Sequence, residues 1–234
     1  MNIAVIPARG GSKRIPGKNI RKFCEKPMIA WSIKTALRSG CFSKVVVSTD
    51  DQETADLAVQ YGAEVPFLRP PELADDHVPT LPVIKHAIQW LQDNGITPSN
   101  VCCIYPTAPF LSTEALRQGE AALSKDDLDF TLSVTSFSYP PQRALRITES
   151  NRIEMYYKEH MFTRSQDLEP IWHDAGQFVW GKVSAWLDEK PILAPNSEGI
   201  VLPRYLVHDI DTEEDWTLAE LVFRALKSKE LRET

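Results

Sequence analysis

The sequence has no apolar run approaching the ~20 residues that a membrane-spanning helix needs, so a bilayer partner is not expected. It is also poor in cysteine. Cys24, Cys41, Cys102 and Cys103 include one adjacent pair and no spaced pairs of the kind found in zinc sites or secreted disulfide frameworks, which makes them candidate buried apolar residues. Met1 to Pro7 lacks the basic region and small-residue cleavage site of a signal peptide, and a cytoplasmic location is expected. Excess positive charge is missing too: the net charge is -6, which excludes the broad basic face that nonspecific nucleic-acid binding requires. Repeats and low-complexity tracts are absent.

What is present is an ordinary core composition, 43% hydrophobic and 25% charged, in a 234-residue chain that fits a single domain. Strands are expected at residues 2–7, 44–48, 64–68, 101–105, 129–135 and 176–180, with helices over 28–39, 51–61, 83–91, 113–124 and from about 212 to 228. Pro27 and Gly40 bracket the first helix, and Thr49-Asp50 offers a cap for the second. This alternation predicts an α/β fold with a mainly parallel, doubly wound sheet, whose ligands sit at the carboxyl ends of the strands. Between about 136 and 174 the pattern breaks, which suggests an inserted arm within the single domain 1–234.

The positive charge is concentrated. Residues 9 to 22 carry six basic side chains and no acidic one, a segment suited to a small, highly charged anion. Within it, Gly10 and Gly11 let backbone amides approach a phosphate, while Arg9, Lys13 and Lys18 can neutralise a triphosphate and its leaving pyrophosphate. The segment is neither of two familiar phosphate loops. Ser12 and Asn19 stand where a Walker loop needs Gly and Ser or Thr, and Gly10, Gly11 and Gly17 do not make a dinucleotide turn.

Near the other end, His208-Asp-Ile-Asp211 read as a strand would put Asp209 and Asp211 on one face, a hard-cation site for Mg²⁺ with substrate phosphates and water. Asp211 is read equally well as a carboxylate at a helix start. Thr212 and Asp215 are placed to cap the final helix. Arg164 could hold a carboxylate, Gln166 and Gln177 could read sugar hydroxyls or acyl groups, and His173 is more simply a structural histidine. Tyr105-Pro-Thr-Ala-Pro-Phe110 ends a predicted strand and could shape a base or sugar pocket or serve as a rigid turn.

Taken in order, Ile6-Pro-Ala-Arg-Gly-Gly-Ser-Lys-Arg-Ile-Pro-Gly-Lys-Asn19, Val47-Ser-Thr-Asp-Asp51, Thr107-Ala-Pro-Phe110 and Asp209-Ile-Asp211 resemble the CMP-sialic acid synthetase family over nearly the whole chain. Arg164-Ser-Gln-Asp-Leu168 and His173-Asp-Ala-Gly-Gln-Phe178 are similar to the members acting on pseudaminic acid, rather than to the neuraminate members with their double arginine and Asn-Gly versions. Tyr105-Pro-Thr107 stands where those members have Gln-Pro-Thr. The resemblance implies a Rossmann-like nucleotidyltransferase fold and a homodimer whose inserted dimerisation arm reaches the partner's site. It also implies CMP transfer from CTP to a nine-carbon acidic sugar: pseudaminic acid, or alternatively N-acetylneuraminic, legionaminic or another ulosonic acid. A silent sugar-nucleotide sensor is the reading from another class. The implied nucleotide residues are Ala8, Arg9, Gly10, Gly11, Ser12, Lys13, Lys18, Asn19, Thr80 and Thr107. Tyr105, Arg143, Arg164, Gln166, Asp174, Gln177 and Phe178 fall to the sugar, Asp209 and Asp211 to Mg²⁺, and Arg9, Lys18, Asp209 and Asp211 to catalysis.

Overall fold

The computed structural model describes residues 1–75 and 78–233, with side chains described up to Ser228. Among the described residues ten strands occur in chain order: β1 Asn2–Pro7, β2 Lys22–Phe23, β3 Lys26–Pro27, β4 Lys44–Ser48, β5 Asn100–Ile104, β6 Phe130–Ser136, β7 Leu145–Ile147, β8 Ile153–Met155, β9 Trp172–Lys182 and β10 Ser197–Val201. The helices are α1 Met28–Ser39, α2 Gln52–Gln60, α3 Thr80–Asp93, α4 Thr113–Leu123, α5 Val183–Leu187 and α6 Glu213–Glu233. Among the described residues no helix is long and apolar enough to cross a membrane.

Six strands form one sheet in the order β10-β6-β9-β5-β1-β4. β4, β1 and β5 pair in parallel, as do β6 and β10, while β9 lies antiparallel between β5 and β6. Both faces are covered, which is why the strands read as continuous apolar runs rather than alternating ones. Ala4 and Ile6 share one core with Ile29 and Ile33 of α1 and Leu116 of α4. Ile3 and Val5 point the other way, into a second core with Ile84, Ala87 and Ile88 of α3. A third cluster, built from Ile15, Phe23, Phe110, Ile210 and Trp216, docks α6 against the loop that follows β1.

Pro27 and Gly40 bracket α1 as expected, and Gly40 has the left-handed φ of 73° that ends a helix. Three local expectations need correction. Residues 64–68 make only isolated bridges, Val46 to Glu64 and Thr49 to Leu68, because Pro66 between them has no N–H to continue a ladder. Asp51, not Asp50, caps α2, accepting the Thr54 N–H at 2.8 Å. Residues 207–211 are irregular rather than a strand.

β10 went unread in the sequence, and β9 begins four residues before the predicted strand, at Trp172. The register of β9 against β6 slips between Leu132 and Val134, where Gly176 takes a φ of 61°. The Ser133 hydroxyl oxygen fastens this bulge by accepting the Gln177 and Phe178 N–H groups, each at 3.2 Å. The segment 137–171 leaves the sheet between β6 and β9 and carries the antiparallel pair β7–β8 with three short 3-10 turns.

Close packing of α4 on β9 depends on a glycine. A methyl group at Gly119 would come 2.7 Å from Trp180 Cδ1 and 2.9 Å from Phe178 Cε2. Trp180 cannot yield easily: it is fully buried, stacks on Phe42 at 4.9 Å and donates its indole N–H to Leu116 O at 3.1 Å. Gly119→Ala is therefore expected to destabilise the fold by about 1–3 kcal/mol through overpacking, against a helix-propensity gain of about 1 kcal/mol. Urea unfolding checks this, and a variant as stable as the parent would contradict the packing argument.

Candidate active site

The loop after β1 crosses the carboxyl edge of the sheet and folds back on itself. Ala8 N–H donates to Ser48 O at 2.9 Å, holding the loop's start to the end of β4. Asn19 is buried, and its side-chain amide donates to Arg9 O at 2.9 Å while its backbone carbonyl accepts Ile29 N–H at 2.9 Å, so it braces the loop from within. Gly10 N–H donates to Asp50 Oδ1 at 3.0 Å, and a methyl group on Gly10 would come 2.7 Å from Asp51 Cβ. The glycine is required there for close approach to the end of β4.

Among the described residues several cavities open beside this loop, two of them bordered by Lys18. The smaller, about 230 Å³, is lined by Arg9, Ser12, Lys18, Asn19, Arg69, Thr80, Tyr105 and Thr107, among others. Thr80 opens α3, whose positive dipole end borders the cavity and favours an anion. Arg69, unread in the sequence, is buried beneath it: Nε donates to Ser48 Oγ at 3.1 Å, and the guanidinium also bonds Ser48 O. The larger cavity, about 610 Å³, is bordered by Arg14, Lys18, Tyr105, Thr107, Asp174, Asp209 and Asp211, with His173 and His208 at its wall. Lys18, Tyr105 and Thr107 line both. Burial pushes the Tyr105 hydroxyl far above its ordinary pKa, with nearby Cys103 and Asp174 adding to the rise, so it stays a neutral hydrogen-bonding group.

The two ends of the chain meet across the larger cavity. Lys18 Nζ donates to Asp211 Oδ1 at 3.2 Å, and Arg14 Nη1 pairs with Asp211 Oδ2. Although residues 207–211 form no strand, Ile210 is buried between Asp209 and Asp211 and both carboxylates border the same space. Two carboxylates on an open cavity next to a cationic loop fit a hard divalent ion that completes its shell with phosphate oxygens and water. Among the described residues no third His, Cys, Asp or Glu joins them to make a closed cage.

Asp211 is set by the helix behind it. Asp215 Oδ2 accepts the Asp211 N–H at 3.1 Å and the Thr212 N–H at 2.8 Å, and Thr212 Oγ1 accepts the Asp215 N–H at 3.2 Å. This reciprocal cap satisfies the Asp215 amide in the first turn of α6 and the two amides that lead into it.

The other expected residues are dispersed. Gly11 and Lys13 sit on the exposed rim of the loop. Asp174 borders the cavity from the start of β9, its Oδ1 accepting Gly176 N–H at 2.8 Å. Gln177 is buried and gives its side-chain N–H to Leu206 O at 2.6 Å, and Phe178 is fully buried, so neither borders the larger cavity. Arg143, Arg164 and Gln166 lie exposed on the arm. Arg143 donates to Thr163 O at 2.9 Å, and Arg164 Nε is bound to Asp167 Oδ2 at 2.7 Å.

A doubly wound sheet with a cationic glycine loop facing an acidic pair at its carboxyl edge defines an enzyme of nucleotidyl transfer. The chain belongs to the cytidylyltransferase family, which it matches over residues 3–230. It is 44% identical over 95% of its length to a pseudaminic acid cytidylyltransferase of Campylobacter jejuni, covering 96% of that protein. It is 34% identical, over 93% of its length and 94% of the relative's, to a CMP-N,N'-diacetyllegionaminic acid synthase of Legionella pneumophila. Among solved structures, a CMP:2-keto-3-deoxy-manno-octonic acid synthetase complexed with CTP has the same fold, with a TM-score of 0.67 at 15% identity over 98% of this chain and 99% of that one.

The Asp215 carboxyl is held below its ordinary pKa, first by the Thr212 hydroxyl and then by the Thr212 and Asp211 amides. A lowered folded pKa means that the stabilisation is present above the unfolded value and disappears as pH falls through the folded one. Thr212→Ala is expected to cost about 1 kcal/mol at neutral pH, the usual worth of an N-cap side chain, with the deficit shrinking in acid. Denaturant titrations at several pH values check both the loss and its direction.

Proposed function

We infer that this chain transfers CMP from CTP to the anomeric hydroxyl of pseudaminic acid, releasing pyrophosphate. The observation that carries the reading is the contact of Arg14 and Lys18 with Asp211, which brings the cations of a phosphate loop and a metal-type carboxylate to the border of one cavity. The 44% identity to the Campylobacter jejuni enzyme supports the choice of sugar.

In this reading the triphosphate lies along the smaller cavity, against Arg9, Ser12, Lys18 and the N-terminus of α3, while Thr107 and Tyr105 border the passage to the sugar. Lys18, lining both cavities, sits where charge builds as the pyrophosphate leaves. Asp209 and Asp211 hold Mg²⁺, which when bound supplies charge stabilisation to the phosphate oxygens. The chain's own contribution is positioning: the clasped loop fixes the phosphates and the wall of Tyr105 and Asp174 orients the sugar for in-line attack on the α-phosphate.

The arm supports a homodimer. Ile147, Ile153, Tyr156 and Phe162 leave it between 63% and 94% exposed, an apolar surface of the kind that a second copy covers. In the dimer, Arg143, Arg164 and Gln166 serve the partner's cleft rather than their own. Phe162→Asp together with Ile153→Asp is expected to give monomers by light scattering; a dimer that survives both changes would exclude the arm as the interface.

The activity is tested by incubating the protein with CTP, Mg²⁺ and, separately, pseudaminic, N-acetylneuraminic, legionaminic and 3-deoxy-octulosonic acids. Pyrophosphate release should be fastest with pseudaminic acid, and release with none would leave only a sensor. Asp211→Ala should lower turnover by about 100-fold or more if its carboxylate stabilises the transferring group, while near-parental turnover would remove Asp211 from the metal site.

A further inference from the structure

The attacking hydroxyl of the sugar must lose a proton as its oxygen bonds to phosphorus, so a group at the larger cavity has to be free to accept it. Most of the cavity's polar groups are not. Arg14 and Lys18 are cations that share Asp211. Arg143 and Arg164 of the partner subunit, which the proposed dimer brings to this cleft, are cations as well. Burial keeps the proton on Tyr105, and Asp174 gives its Oδ1 to the Gly176 N–H at 2.8 Å. Asp209 and Asp211 are the carboxylates read as metal ligands. Two imidazoles are left, those of His173 and His208.

The backbone distinguishes the two rings. His208 spends Nε2, the nitrogen at the tip of its ring, on Tyr205 O at 3.1 Å, with the ring leaning on Phe110 at 4.7 Å between centroids. His173 does the reverse: its Nδ1 lies 2.9 Å from Asp174 O. A carbonyl only accepts, so the neutral ring carries its proton on Nδ1 and keeps the lone pair on Nε2, the nitrogen that reaches farthest from its own backbone. The ring is also held in place. His173 pairs with Thr135 in the ladder of β6 and β9, and Phe137 packs against it with centroids 4.6 Å apart. A histidine that reads from the sequence as structural thus stands at the cavity wall with one nitrogen fixed and the other unspent.

We propose that His173 is the general base of the transfer. Its Nε2 takes the anomeric proton as the sugar oxygen bonds to the α-phosphorus, and the bond from that phosphorus to the bridging oxygen breaks, its electron pair leaving on pyrophosphate. The inference rests on the proposed CMP transfer, and its tests separate the two.

His173→Asn retains a side-chain N–H for Asp174 O but accepts no proton, and His173→Ala removes both functions. With CTP, Mg²⁺ and pseudaminic acid, each variant should lose about 10²- to 10⁴-fold in kcat, the range for a general base, while KM for either substrate moves by no more than about twofold. Added imidazole should restore part of the turnover of His173→Ala; a loss that it leaves untouched would assign the ring a structural role instead. Proton–nitrogen correlation spectra of the parent without substrate supply a readout independent of turnover. The neutral His173 ring should carry its proton on Nδ1, and a proton found on Nε2 would overturn the proposal. So would near-parental turnover in both variants, a rise in KM for sugar with kcat intact, or a larger loss of kcat in His208→Gln than in His173→Asn. A parent that turns over none of the acids would sink the transfer reading and this proposal with it, whereas an active parent with unaffected variants sinks this proposal alone. Unchanged melting and unchanged CTP binding by calorimetry are expected of both His173 variants and establish that they are folded.

Discussion

The site depends on the docking of a cationic segment near the start of the chain against an acidic one near its end. Arg14 and Lys18 reach Asp211, Arg21 reaches Glu213 and lies 4.4 Å over the Trp216 ring, and the Cys24 N–H donates to Glu220 at 2.6 Å. Exposed ion pairs contribute little individually, and what fixes the clasp is the apolar contact behind them. Ile15, Phe23, Ile210 and Trp216 are buried together, with Phe23 packed edge-on against Trp216 at 5.5 Å. The hydrophobic cluster holds α6 to the loop, and the charges then set which side chains face the cleft. Without that docking the carboxylate pair would have no fixed relation to the phosphate loop.

The parts of this design visible in the sequence were those governed by local rules. Strands buried on both faces announce themselves as apolar runs, as β1, β4 and β5 did, and helices announce their ends, as Pro27 and Gly40 did for α1. The cationic loop was visible because its charge is concentrated, and Asp211 because it precedes the Thr212 to Asp215 cap. What escaped was set by tertiary placement. β10 is a short edge strand with little apolar content, and β9's reversed direction is a pairing property that no local pattern encodes.

The same distinction separates the site residues that lie at the cleft from those that do not. Gln177 and Phe178 sit in a stretch rich in polar and aromatic types, yet the bulge at Gly176 turns both inward: one pins Leu206 and the other packs under α4. Arg69 and Arg14 were passed over for opposite reasons. Arg69 lies in a loop with no motif around it, and its burial at the wall of the smaller cavity emerges only from the fold. Arg14 lies inside the strongest motif of the chain, where six basic residues share one segment and sequence alone does not assign each to a substrate.

The reversed course of β9 has a further consequence. Parallel strands deliver their carboxyl ends to the functional edge, whereas β9 delivers its beginning, so Asp174 enters the cavity directly from the returning arm. Segments from the first half of the chain shape the smaller cavity, and the incoming end of one central strand shapes part of the larger one. The larger cavity can therefore be reshaped through that strand entrance and its attached arm, while the loop after β1 and the smaller cavity beside it keep their form.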